Sequence, residues 1–225
     1  SNSEFSIEIP IDRLATGRIS AGGFYHNICL LPGDDFSVSI DADTIDNKGK
    51  GAEKNNFLYA AERKNLWDRD YYNESNRAVL SPAELVDTLQ NFKQKRLDFL
   101  AAYASKNDLN ETFVDYYKTE TQVIYEKLVQ NYPRRYAYRQ KTSRDSLRLP
   151  AEYKKMNQLN HIMDDKKLVS FNYIHNLRNF MYDKAKEIRE ADTSINRDEA
   201  IYIALFDSLK GKTKEYVLAK WISNQ

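Results

Sequence analysis

The sequence predicts an α+β fold that is mostly α, with a small N-terminal antiparallel β-sheet followed by an irregular helical bundle. Three observations carry this expectation. Near the N-terminus apolar residues alternate with polar ones, the period of a half-buried strand, whereas beyond residue 50 they recur at helical spacing. Seven glycines and five prolines among 225 residues are less than half of the roughly 12% that average usage gives, which leaves few obligate turns and room for long helices.

Phe5, Ile7, Ile9 and Ile11 alternate with Ser, Glu and Pro, so a first strand is expected over residues 5–11, with Pro10 at a sheet edge or strand end. Phe24–Leu31 and Phe36–Ala42 flank Pro32-Gly33-Asp34-Asp35, residues suited to a tight bend, and are expected to pair as a β-hairpin. Three or four strands fit before Asp46, fewer than most β-domains carry. The sheet is therefore expected to pack on helices or to be the remnant of a larger β-domain. The organisation read from this is a small β-region over residues 1–48 and a helical domain over 49–225.

Phe57, Ala60, Ala61 and Trp67 open the helical pattern. In Leu80-Ser81-Pro82-Ala83-Glu84-Leu85, Ser81 and Glu84 make a capping box, Pro82 suits the first helical position, and Leu80 faces Leu85 as a staple. That helix carries Leu85, Leu89, Phe92, Phe99, Leu100 and Tyr103 and is expected to end near Asn107. Asp108-x-x-Glu111 is read as the start of a third helix striped by Phe113, Tyr117, Ile124 and Leu128, stopping at or before Tyr132 because Pro133 lacks an amide donor. After a connection of about 16 residues, Pro150 is expected to open a helix through Met163 that Asp164-Asp165 ends. Tyr173, Leu177, Phe180, Met181, Ala185 and Ile188 mark another helix, Asn196-x-x-Glu199 caps the next, Gly211 stops it, and Tyr216–Ile222 forms the last.

Charge excludes some functions. With 34 Lys+Arg against 33 Asp+Glu, a net charge of +1 and 41% apolar residues, the chain is neither a polyanion-seeking basic protein nor a disordered acidic tail. No nucleic-acid partner is expected. Charged or amide residues interrupt every apolar run, so no transmembrane segment is read. The start at Ser1-Asn2-Ser3 is read as that of a processed or trimmed fragment whose targeting signal is gone. The single cysteine, Cys29, forms no internal disulfide, Cys-x-x-Cys pair or thiolate zinc site, and is expected to be a buried small hydrophobe.

The chemical motifs are incomplete. Asp41-Ala42-Asp43-Thr44-Ile45-Asp46-Asn47 resembles the start of a calcium loop, but Ile45 stands where a third ligand belongs and Asp46 where the turn glycine belongs. Gly49-Lys50-Gly51 precedes a helix without the third glycine or Lys-Ser/Thr of a phosphate loop, and reads as a helix-entry turn. Cys29 and His26 fall on opposite faces of a strand, which excludes a nucleophile–base dyad. His161 and Asp164 have metal-compatible spacing without a second His nearby. No hydrolase elbow or zinc-protease motif occurs, so no catalytic residue, metal or cofactor is assigned.

The candidate binding segment is 132–148. Arg134, Arg135, Arg139, Lys141, Arg144 and Arg148 oppose only Asp145 and interleave with Tyr132, Tyr136 and Tyr138, a local charge of +5. Arginine forks beside tyrosines suit an anionic ligand or acidic partner. Arg134, Arg135, Tyr136, Tyr138 and Arg139 are its candidate contacts. The bland alternative is a solvated loop whose arginine stems cover aromatic core.

The order of Leu31-Pro32-Gly33-Asp34, Val38 and Asp41, then Gly51-Ala52-Glu53-Lys54-Asn55-Asn56-Phe57-Leu58, then Tyr132-Pro133 and Asn172-Tyr173 resembles the N-terminal accessory region of exported TlpA-like thiol–disulfide oxidoreductases. The resemblance spans roughly residues 24–225 and departs from the family in lacking Cys-x-x-Cys. It implies a non-catalytic region, periplasmic or envelope-anchored, preceding a thioredoxin-like domain and positioning that domain or binding an envelope client. A lipid anchor on the parent protein is also implied. The alternative function is a free-standing envelope binding module for an anionic ligand or acidic partner, using residues 132–148.

Overall fold

A computed structural model describes residues 6–21, 24–41, 44–66, 80–143 and 164–222. Its strands are β1 (Ala15–Ala21), β2 (Phe24–Leu30), β3 (Asp35–Asp41) and β4 (Thr44–Lys50). Its α-helices are α1 (Glu53–Arg63), α2 (Pro82–Ala104), α3 (Glu111–Arg139), α4 (Phe171–Ala191), α5 (Arg197–Ser208) and α6 (Gly211–Ile222). A 3-10 turn, Asp165–Val169, precedes α4. The α+β, mostly α class holds, while the strand assignments need correction.

Residues 6–11 pair with no strand among the described residues, and Ile7 and Ile9 are exposed. Alternation alone did not give them a partner backbone, without which an extended segment is not a strand. The first strand is β1, which pairs antiparallel with β2 from Ala15↔Leu30 to Ala21↔Phe24. β3 pairs with β4 from Asp35↔Lys50 to Asp41↔Thr44. The turn at residues 31–34 is present, with Asp34 N–H donating to the Leu31 carbonyl at 3.1 Å and Gly33 at φ +79°. It connects two hairpins and does not close one, so β2 and β3, expected as partners, lie in separate two-stranded sheets.

The chain forms two compact units, Ser1–Asp70 with Lys95–Tyr117 and Tyr71–Gln94 with Lys118–Gln225. The expected border between residues 48 and 49 falls inside the first unit. Its core joins Cys29 and Leu31 of the hairpins to Phe57 and Leu58 of α1, Leu100 of α2, and Leu109, Phe113 and Tyr117 around the start of α3. Phe57 is the hub. Its ring meets Phe99, Tyr103, Phe113 and Tyr117 at centroid distances of 5.3, 5.3, 5.6 and 4.7 Å. Tyr103 also donates to Glu53 Oε1 at 2.8 Å.

In the second unit, Leu85, Val86 and Leu89 of α2 pack with Ile124, Leu128, Val129 and Tyr132 of α3. The capping box closes reciprocally: Ser81 N–H donates to Glu84 Oε2 at 2.7 Å, and Glu84 N–H to Ser81 Oγ at 3.3 Å. A second cluster joins Val123 to Tyr173, Leu177 and Met181 of α4 and to Ile201, Ala204 and Leu205 of α5. Asn196 caps α5 through Glu199 N–H at 2.9 Å. Asp165 caps α6 by accepting from Thr213 N–H at 2.9 Å and Thr213 Oγ1 at 2.7 Å. Gly211 therefore opens α6 and does not merely end α5. The cap of α3 is Asn110, whose Oδ1 accepts from Thr112 N–H at 2.9 Å, in place of the expected Asp108. The expected helix from Pro150 to Met163 lies outside the described residues.

The largest departure is Pro133, which lies inside α3. A proline in a helix interior costs about 3 kcal/mol, but here Tyr132, Pro133 and Ala137 are buried and the Tyr132 hydroxyl donates to the Leu80 carbonyl. Each buried large apolar side chain contributes about 1.5–3 kcal/mol, so packing outweighs the local rule and α3 continues to Arg139. It ends in a Schellman motif, with Thr142 N–H donating to Ala137 O at 3.0 Å and Lys141 N–H to Tyr138 O at 3.3 Å. Lys141 occupies the left-handed position at φ +50°, where glycine is favoured. Lys141→Gly is expected to raise the unfolding free energy by about 0.5–1 kcal/mol. Urea denaturation checks this, and a loss of stability would show that the lysine stem packs on the helix end.

Candidate functional site

The first unit contains a buried polar set that fastens the hairpins to α1. Lys54 Nζ, with its side chain 3% exposed, pairs with Asp34 Oδ2 at 2.6 Å and donates to Gly51 O at 2.6 Å. The same Asp34 oxygen accepts from Leu31 N–H at 2.6 Å. Asn55 Oδ1 accepts from Cys29 N–H at 2.8 Å. Asn56 and Asn47 exchange amide contacts at 3.1 Å in both directions. Gly49-Lys50-Gly51 is thus a helix-entry turn whose neighbouring cation, Lys54, is already neutralised. Asp41 and Asp46, from the calcium-like stretch, are exposed on β3 and β4, where Asp46 pairs with Lys48 at 2.6 Å. No group of three or more potential metal ligands occurs among the described residues.

Cys29 and His26 are both buried on β2. Burial pushes the Cys29 thiol up to about 12, so it is a poor nucleophile at neutral pH. His26 is 1% exposed and lies edge-on to Tyr59 at 6.1 Å. Neither of its ring nitrogens has a hydrogen-bond partner among the described residues. The Asn47 amide is close enough to favour the charged ring, but desolvation is the larger effect and holds His26 below its ordinary value. The folded state therefore resists protonation that the unfolded state accepts, and stability present above pH ~6.5 is lost as pH falls below it. At pH 5.5 this group is expected to cost up to about 1.4 kcal/mol relative to pH 7.5. Urea unfolding at the two pH values, in wild type and His26→Gln, measures it. An identical pH slope in both proteins would refute the assignment.

The candidate segment lies in the second unit. Because α3 runs through Pro133, its residues are helical and spread around the axis. Arg134 and Tyr138, spaced i,i+4, are both exposed, Tyr138 at 85%. Arg135 and Arg139 share another side, Arg139 exposed and Arg135 half-buried. Tyr136 turns inward, 5.4 Å from Tyr132 between ring centroids. Arg139 and Lys141 also complement the carbonyl end of the helix dipole. Of the other cations, Arg144 and Arg148 lie outside the described residues. The five candidate contacts thus do not form a single face.

A face does form between α3 and α4, and it joins Arg134 and Tyr138 of that segment to residues outside it. Lys127, Asn131, Arg134 and Tyr138 recur at i, i+4, i+7 and i+11 along α3, while Asn172, His175 and Arg178 recur at i, i+3 and i+6 along α4. Lys127 Nζ donates to Asn172 Oδ1 at 2.7 Å, joining the two rows. His175 is half-buried and held below its ordinary value, first by desolvation and then by the positive charges of Lys127, Arg178 and Arg134. Arg134 and Arg178 are exposed and have no carboxylate partner among the described residues. The arrangement is positive from Lys127 to Arg178 with one titratable imidazole in it, and it is bordered by Glu120, whose carboxylate accepts from Asn172 Nδ2. Positive charge so placed attracts anions, and among the described residues of the face no nucleophile stands beside a base. Comparison with protein-family models, curated proteins and solved structures finds no match.

Proposed function

We propose that this chain is a non-catalytic binding module whose recognition surface for an anionic partner is the α3–α4 face. The observation that supports this most directly is the gathering of Lys127, Arg134 and Arg178 around His175. Like charges in proximity cost free energy that a bound anion recovers. Decaglutamate and polyphosphate are suitable first probes. Binding is expected to weaken as salt rises from 50 to 300 mM, since the Debye length shortens over this range. Replacing Arg134 and Arg178 with alanine is expected to lower affinity about tenfold or more. Equal affinity in the double variant and wild type would overturn the assignment.

A second reading is that the module is the accessory region of an exported TlpA-like protein, positioning its thioredoxin-like domain or engaging a client in the periplasm or envelope. It is favoured by a contact between two of the motifs that carry the resemblance: Asp34 of the first pairs with Lys54 of the second. Motifs that define a structural region are expected to contact one another in this way. Among the described residues no helix is long and apolar enough to cross a membrane. Sequencing the gene beyond the codon for Gln225 tests this reading through the presence or absence of a thioredoxin-like domain with Cys-x-x-Cys.

A further inference from the structure

The binding face described above is long and narrow, and its shape restricts the ligand. Lys127 and Arg134 stand seven residues apart, about 10 Å along the helix, and Tyr138 extends the row to about 16 Å. A single small anion does not span that length. Lys127, Arg134 and Arg178 project from mid-helix, where backbone N–H groups are already used, and at the α4 N-terminus, where Asn172 stands, Tyr173 N–H is taken by Ser170 Oγ at 3.0 Å, so anion contacts along the row come from side chains. Carboxylates along a polypeptide match it better: same-side residues repeat about every 7 Å in a strand and every 5–6 Å on a helix. A single nucleic-acid strand has comparable charge spacing but is held by successive aromatic platforms. Here only Tyr138 of the row is aromatic, and Tyr132 and Tyr136 are turned into the core.

We infer that the partner of the α3–α4 face is an acidic stretch of polypeptide, and that His175 takes up a proton as this stretch binds. The inference rests on the binding reading above and adds the ligand class and its control. The charges that move His175 most are cations, Lys127 and Arg134 from α3 and Arg178 from α4, while the nearby carboxylate of Glu120 on α3 accepts a hydrogen bond from Asn172 Nδ2. Burial first, and these cations with it, bias the ring toward its neutral form. A carboxylate laid between Arg134 and Arg178 adds the opposite charge beside the ring and reverses this preference. Binding and protonation then favour each other, so affinity rises as pH falls through the histidine range.

The experiment is isothermal calorimetry of the full chain with an acetylated 12-residue peptide of alternating Glu and Gly, at pH 7.5 and 5.5 and in two buffers of different ionisation enthalpy. Affinity is expected to be about 3–10-fold higher at pH 5.5, with between zero and one proton taken up per complex. His175→Gln is expected to remove the low-pH gain and the proton uptake, and Arg134→Ala to weaken binding at both pH values. Peptide binding without a pH effect, or with one that persists in His175→Gln, overturns the proton coupling and leaves the binding reading intact. Failure of the peptide alongside binding of a dT12 oligonucleotide or inorganic phosphate overturns the polypeptide assignment. Failure of all three probes overturns both readings.

Discussion

Asp34→Ala is expected to lower the unfolding free energy by about 3–5 kcal/mol, the usual cost of leaving one member of a buried ion pair alone. Lys54 and Asp34 side chains are 3% and 11% exposed and 2.6 Å apart. Without Asp34, the ammonium group would keep the Gly51 carbonyl and the face of the Phe36 ring, and Leu31 N–H would lose its acceptor. A domain of this kind has about 5–15 kcal/mol of stability in total, so a large share would go. The companion variant separates charge from packing. Asp34→Leu with Lys54→Met removes both charges and is expected to recover much of the loss, because apolar replacements of a buried pair are often neutral or better. Urea unfolding at pH 7 measures all three proteins. A cost below about 1 kcal/mol for Asp34→Ala would mean that the pair behaves as an exposed one.

Gly51→Ala is expected to be about as damaging, and through the same group. Gly51 has φ +85°, and a Cβ there would stand on the Asp34 carboxylate and 2.9 Å from Lys54 Nζ. The left-handed backbone alone costs a non-glycine residue about 1–2 kcal/mol. The rest of the loss comes from moving the carboxylate off its two partners. The effects should therefore not add. In an Asp34→Ala background, Gly51→Ala is expected to cost only the backbone term of about 1–2 kcal/mol, which a double-mutant cycle detects. Strict additivity would show that the carboxylate yields without losing Lys54.

What could be read from the sequence follows from how local the chemistry is. The Ser81–Glu84 box, the Asn196 cap and the Leu80 staple were legible because each is settled within six residues. Strand pairing is settled at a distance. β1 has only Ile19 as a large apolar residue, so alternation pointed to residues 5–11 instead, although Gly22-Gly23 ahead of β2 is the kind of dipeptide that marks a hairpin. At Pro133 a sound local rule lost to the burial of Tyr132 and Ala137. That miss also hid the candidate face. Ending the helix at Tyr132 separated Lys127 and Asn131 from Arg134 and Tyr138, which lie on one continuous row. His175 and Arg178 follow about 40 residues later on another helix, and no spacing rule links them to α3. Arg134 and Tyr138 were found because the excess of basic and aromatic residues is visible without any structure.

Unit one is discontinuous along the chain, and this sets an order of events during synthesis. The hairpins and α1 are complete at Arg63, but Leu100, Leu109, Phe113 and Tyr117, which close their core, come some fifty residues later. At about 5–20 residues per second the nascent chain waits roughly 3–10 s for them. Throughout that interval Phe57 lacks the four rings that later surround it, and Cys29 lacks much of its cover. The thiol that is inert in the finished protein is exposed to oxidants and alkylating agents while the chain is being made.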